Sequence, residues 1–220
     1  MSKRLLMRRD EIMKRYECWG GAYPLLVTLM TVATLCLAPC VWAQSGTSDL
    51  PEAKQTSLGL YVTAKEAYQK WLADPEQVKV LDVRTTEEYI FIGHAPMARN
   101  VPLNSQTYQW DAEKQHFTMK QNPEFINQVM EFAKPSDTIL VTCRSGGRSA
   151  MAVNLLAEAG FTDVYNITDG MEGDVVEEPG SVFRGQRLKN GWKNSGNPWT
   201  YKLDPELMRF ARNETEEQPR

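Results

Sequence analysis

Histidine is almost absent, with two in 220 residues (His94 and His116), and cysteine is sparse, with four. Two histidines that far apart do not offer the close ligand spacing that tetrahedral zinc needs, so no metal site is expected. Beyond residue 43 there is no long apolar run, which excludes a chain that crosses a membrane repeatedly. Excess positive charge is lacking too: the formal net charge is -3, so bulk charge does not make this a nucleic-acid binder. There is no internal repeat, and with 42% hydrophobic and 24% charged residues the composition is that of a globular protein, not of a disordered or collagenous one.

What is present divides near residue 43. Residues 1–43 carry six Lys or Arg against Asp10, Glu11 and Glu17, a net +3, which leaves 19 basic and 25 acidic residues and a net -6 for the remainder. After the basic stretch come an apolar run from Ala22 to Ala38, then Pro39, then Val41-Trp42-Ala43, with small residues one and three places before a cut. This order predicts a secretory signal peptide over 1–43 and an exported protein, in a bacterial periplasm, that begins at Gln44. The alternative is that residues 25–43 stay attached as a membrane anchor. Cleavage would remove Cys18, Cys36 and Cys40 and leave Cys143 as the only thiol, with no internal disulfide.

Residues 44–57 are small, polar and aperiodic, and read as a linker. From Leu58 to residue 203 short apolar runs alternate with helical patterns. Leu58 to Val62 is expected to be extended, Thr63-Ala-Lys-Glu66 opens a helix to Ala73, and Val78 to Val83 is a strand. Thr85-Thr-Glu-Glu88 starts a short helix, Asn100 to Leu103 a short strand, and Pro123 to Ala133 an amphipathic helix. Ile139 to Thr142 is a continuously apolar strand, Ser149 to Ala159 a helix and Val164 to Ile167 a further strand. Alternation of this kind predicts an α/β fold with a central parallel sheet and helices on both faces. Residues 174–203 read as an insertion and a tail whose Trp192, Trp199 and Tyr201 pack it onto the domain, and 204–220 as a C-terminal tail.

The chemistry lies in Thr142-Cys143-Arg144-Ser145-Gly146-Gly147-Arg148-Ser149, which joins a buried strand to a helix. Ligands in open α/β sheets sit at the carboxyl ends of strands, where Cys143 falls. The helix N-terminus offers unpaired N-H groups, Gly146 and Gly147 let the loop curl them inward, and Arg144 and Arg148 add full positive charges. All three favour a nucleophilic thiolate on Cys143, and the cradle of Arg144, Ser145, Gly146, Gly147 and Arg148 would hold an anionic substrate beside it. Asp82 and Arg84 are expected to be scaffold, Arg84 pairing with Glu88 at helical spacing, and His94 a hydrogen-bonding loop residue.

Leu81 to Arg84, Glu88-Tyr89, Gly93 to Pro96, Asn100 to Leu103, Cys143 to Arg148 and Asn166 to Gly173 resemble, in order, the successive motifs of a rhodanese domain. The resemblance implies a small rhodanese-like α/β domain in which Cys143 accepts a sulfane sulfur as a persulfide. Cysteine-dependent phosphatases have five residues between Cys and Arg; here Arg148 follows four, a smaller cradle that suits sulfur better than phosphate. The function so implied is an exported sulfurtransferase that needs no cofactor. It would take sulfur from thiosulfate or a similar small anionic donor and give it to cyanide, a thiol or a protein acceptor. The alternative is a non-turnover persulfide carrier or partner-binding protein of an extracytoplasmic sulfur or respiratory pathway.

Overall fold

Strand β2 (Val78–Asp82) and strand β6 (Thr138–Thr142) are almost wholly buried, as apolar runs at the centre of a parallel sheet must be. The computed structural model describes residues 50–209, so the predicted signal peptide, anchor and cleavage site lie outside the described residues. Among these no helix is long and apolar enough to cross a membrane. The remaining elements are β1 (Tyr61–Val62), α1 (Ala64–Ala73), α2 (Thr86–Ile92), β3 (Arg99–Asn100), β4 (Asn104–Asp111), β5 (His116–Gln121), α3 (Phe125–Met130), α4 (Gly147–Glu158) and β7 (Val164–Ile167).

Five strands form one sheet in the order β1-β7-β6-β2-β3, every pair parallel, with Asp82 beside Thr142 in register. Alternate side chains go to opposite faces. Leu81, Ile139, Val141 and Val164 pack against Phe125 and Val129 of α3 and Ala152, Val153 and Leu156 of α4. Val80, Leu140 and Ile167 pack against Ala64 and Ala67 of α1 and against Trp192 of the tail. The fold is α/β, a central parallel sheet with helices on both faces, as the alternation of strand and helix patterns predicts.

Three local readings differ from the structure. The segment read as a linker makes a 3-10 turn at Glu52–Lys54 and is tied down beyond it: Ser57 donates through its backbone N-H to Asn154 of α4 at 2.8 Å, and Lys54 pairs with Asp174 at 3.0 Å. Its polar composition hid contacts made through backbone groups. Residues 104–121, given no element from the sequence, form the antiparallel hairpin β4–β5, with Tyr108 and Trp110 exposed. Arg84 does not pair with Glu88: Arg84 and Asp82 are both fully buried and bond each other at 2.6 Å, with the guanidinium also donating to the Gly93 carbonyl. Burial would lower the Arg84 pKa, and the pairing with Asp82 overrides it and raises it. A buried pair this close balances the two charges locally, with only Arg84 Nη1 left without a hydrogen-bond partner, and fixes the end of β2.

His94 is buried, stacked on Tyr89 at 3.7 Å between ring centres, with Nδ1 3.1 Å from the Tyr89 carbonyl. Burial pushes its pKa down, against the opposing pull of the Tyr89 carbonyl and Asp82. The folded state therefore holds a neutral ring. Below the ordinary histidine pKa of about 6.5 the unfolded chain takes up a proton that the folded one refuses, so stability falls as pH drops. The urea midpoint should be flat above that pH, decline from about 6.5 towards 5, and decline less in His94→Gln.

Candidate active site

Cys143 follows directly on β6, beside the end of β2, where Val83 N-H bonds the Thr142 carbonyl at 2.9 Å. It is a free cysteine and 1% exposed. Gly146 N-H donates to its sulfur at 3.2 Å, and the Ser149 hydroxyl stands 3.4 Å away. α4 begins at Gly147, so the partial positive charge of its N-terminus faces the loop that carries the thiol.

The loop that follows β7 braces the cradle. Met171 N-H donates to the Cys143 carbonyl at 2.8 Å and Glu172 N-H to the Arg144 carbonyl at 3.0 Å. This contact requires glycine twice. Gly146 has φ +102 and a Cβ there would lie 2.2 Å from the Thr168 carbonyl oxygen; Gly170 has φ +62 and a Cβ would lie 2.6 Å from the Cys143 carbonyl oxygen.

The two arginines part company. Arg144 is exposed, and its guanidinium enters no ion pair among the described residues. Arg148, expected on the bound anion, is gripped by Glu88, NH1 and NH2 each donating to one carboxylate oxygen at 2.6 Å. The same carboxylate accepts the Thr85 backbone N-H at 3.0 Å and so caps α2. Burial would raise the Glu88 pKa, but the Arg148 hydrogen bonds and charge lower it below the usual range. Arg148 thereby ties α4 to α2. Ser145 and Gly147 are half-buried within the loop. Among the described residues no cluster of His, Cys, Asp and Glu could hold a metal ion.

Removing Arg148 strands the half-buried Glu88 carboxylate. Arg148→Ala should cost about 1–3 kcal/mol of stability in urea denaturation. Arg148→Lys should recover only part, because a point charge cannot make the two-pronged contact.

Sequence reasoning missed Glu88 and Asn166 as parts of this site. Glu88 reads in the sequence as a helix cap and as the partner of Arg84, and nothing in its spacing points to a partner 60 residues away. Asn166 lies in a strand, yet its side chain bonds Ser149 and the Gly146 carbonyl.

A parallel sheet with a cysteine loop between its central strand and a helix N-terminus defines a class of α/β domains built around a cradled thiol. The rhodanese-like domain family model matches residues 63–175, over half of the chain, and the protein belongs to that family. Thiosulfate sulfurtransferase 16, chloroplastic, of Arabidopsis thaliana is 42% identical over 92 residues, 42% of this chain and 69% of the relative. Thiosulfate sulfurtransferase 18 of the same plant is 38% identical over 92 residues, 41% of this chain and 61% of the relative. Among solved structures, that of Rv0390 from M. tuberculosis superposes with a TM-score of 0.50 at 25% identity, over 64% of this chain and 96% of that one.

Proposed function

We propose that this protein is a sulfurtransferase that moves a sulfane sulfur from thiosulfate or a similar anionic donor to cyanide or a thiol through a persulfide on Cys143. The observation that carries this reading is the thiol itself, at a strand end and a helix N-terminus, with Gly146 N-H on its sulfur. The thiolate attacks the outer sulfur of thiosulfate, a new S-S bond forms, and sulfite leaves with the electron pair of the old one. Cyanide then attacks the outer persulfide sulfur, releasing thiocyanate and restoring the thiolate. No net oxidation occurs, and no cofactor enters. In this reading the substrate-binding cradle is Arg144 to Arg148, with Arg144 as the cation free to meet the donor and Arg148 as a fixed source of field.

Arg144→Ala should therefore lower kcat/KM for thiosulfate roughly tenfold or more, by loss of a charged hydrogen bond. Its stability should stay within about 0.5 kcal/mol of the parent, the opposite balance to Arg148→Ala. Intact mass after thiosulfate, and again after cyanide, tests the cycle: one sulfur gained, then lost. A mass that never changes would sink it.

We place the protein outside the cytoplasm, in a bacterial periplasm, as a chain that begins at Gln44. N-terminal sequencing of the exported product decides between this and an anchor at residues 25–43. A persulfide carrier with a protein partner is the second reading. It is favoured by the insertion from Asp174, which leaves the loop that braces the cradle and carries exposed Val182 and Phe183. A stable persulfide with negligible turnover on small acceptors would select the carrier.

A further inference from the structure

Ser149 is fully buried in the first turn of α4, and its hydroxyl oxygen stands among three acceptors: Asn166 Oδ1 at 2.6 Å, the Gly146 carbonyl at 3.0 Å and Cys143 Sγ at 3.4 Å. It has one proton to give. Which acceptor receives it is settled by Asn166. The Asn166 amide nitrogen donates to the Lys54 carbonyl at 2.8 Å and to the Gly146 carbonyl at 3.1 Å. Both partners can only accept, so Nδ2 must face them and Oδ1 must face Ser149 as an acceptor. The Ser149 proton therefore rests on Asn166, and a neutral thiol can donate its S-H to the Ser149 oxygen. When Cys143 ionises, a charged acceptor competes for that same proton.

The Lys54 carbonyl belongs to the strap of residues 50–57, which lies over the loop: a Cβ on Gly146 would come 3.0 Å from the Lys54 side chain. Three hydrogen bonds thus connect the strap backbone to the nucleophile, across 112 residues of sequence at the first of them. Resting on the reading of Cys143 as nucleophile, we propose that the docked strap tempers the sulfur through two positioning residues, Asn166 and Ser149. With Lys54 and the Gly146 carbonyl both in place the Asn166 amide is held firmly in the orientation that draws the Ser149 proton away from the sulfur; with the strap released only the Gly146 carbonyl fixes it, the hold on that proton loosens and the thiolate competes for it better.

The charged groups around the loop are Arg144 within it, Arg148 of α4 locked to Glu88 of α2, Asp82 with Arg84 at the end of β2, Lys54 of the strap and Glu172 after β7. The test leaves all of them unchanged. Ultraviolet thiolate absorbance, taken as the difference from the matching Cys143→Ser protein so that Cys18, Cys36 and Cys40 cancel, is titrated against pH in the full chain for Ser149→Ala, Asn166→Ala and the pair Asn154→Ala with Tyr61→Phe. That pair removes the strap's bonds at Ser57 and Thr56 without touching the sulfur. Ser149→Ala should raise the midpoint by about one pH unit, because the thiolate loses its hydroxyl donor. Asn166→Ala and the strap pair should each lower it by about half a unit, because the competing acceptor is lost or loosened. Both decreases should vanish in a Ser149→Ala background. Decreases that persist without Ser149, or midpoints that rise or stay fixed in the strap pair, overturn the proposal. Should Asn166→Ala fail to fold, the strap pair carries the test alone. Sulfur loading of the parent protein is measured alongside. A parent that takes no sulfur from thiosulfate while the midpoints shift as stated overturns the sulfur-transfer reading and upholds the strap relation.

Discussion

Cys143→Ser is expected to gain no sulfur from thiosulfate and to release no thiocyanate, a loss on the order of a thousandfold or more in turnover. A serine hydroxyl needs a base to become a nucleophile, and neither histidine is placed to serve as one. His94 is stacked on Tyr89 and turned to its carbonyl, and His116 is exposed on β5. The substitution changes little volume at a buried position, so the urea midpoint should move by less than about 1.5 kcal/mol and the defect belongs to chemistry. A serine variant that still turns over would sink the covalent reading.

Gly146→Ala is expected to damage both fold and site. The residue sits at φ +102 with backbone oxygen of Thr168 2.2 Å from where a Cβ must go. The strained conformation costs about 1–3 kcal/mol and the displaced backbone about as much again. The total, roughly 2–6 kcal/mol in chemical denaturation, is a large part of what a domain of this size has. Because the same N-H points at the sulfur, any folded variant should also load sulfur slowly. A variant as stable as its parent would show that the two loops can move apart.

The sheet and the place of Cys143 in it were legible for one physical reason: buried parallel strands must be apolar throughout, and such a strand ending in a cysteine and two glycines before a helix puts the thiol at the strand's carboxyl end. Capping boxes at Thr63 and Thr85 fixed two helix starts to the residue. What escaped was carried by groups with no pattern. The strap is held largely by backbone groups, which every residue has. Hairpin β4–β5 has a turn without glycine or proline and an irregular burial pattern, because neither strand has a face committed to the core. The fate of Arg84 and Arg148 was a choice among carboxylates, Asp82 or Glu88, that sequence spacing answers wrongly: i and i+4 on a helix face do not apply to Arg84, which precedes the helix.

In the sheet, β1 has a single neighbour, and that neighbour is β7, the last strand, with Tyr61 in register with Asn166. Contacts between the two ends of a domain are paid for late in folding, since the intervening chain must be closed before they return any stabilisation. Cys143 thus emerges with its strand while the groups that brace it still await their partners. Met171 and Asn166 come later in the chain, and Lys54 is useful only once they arrive. In a refolding time course, accessibility of this thiol to an alkylating reagent should be the last signal to settle.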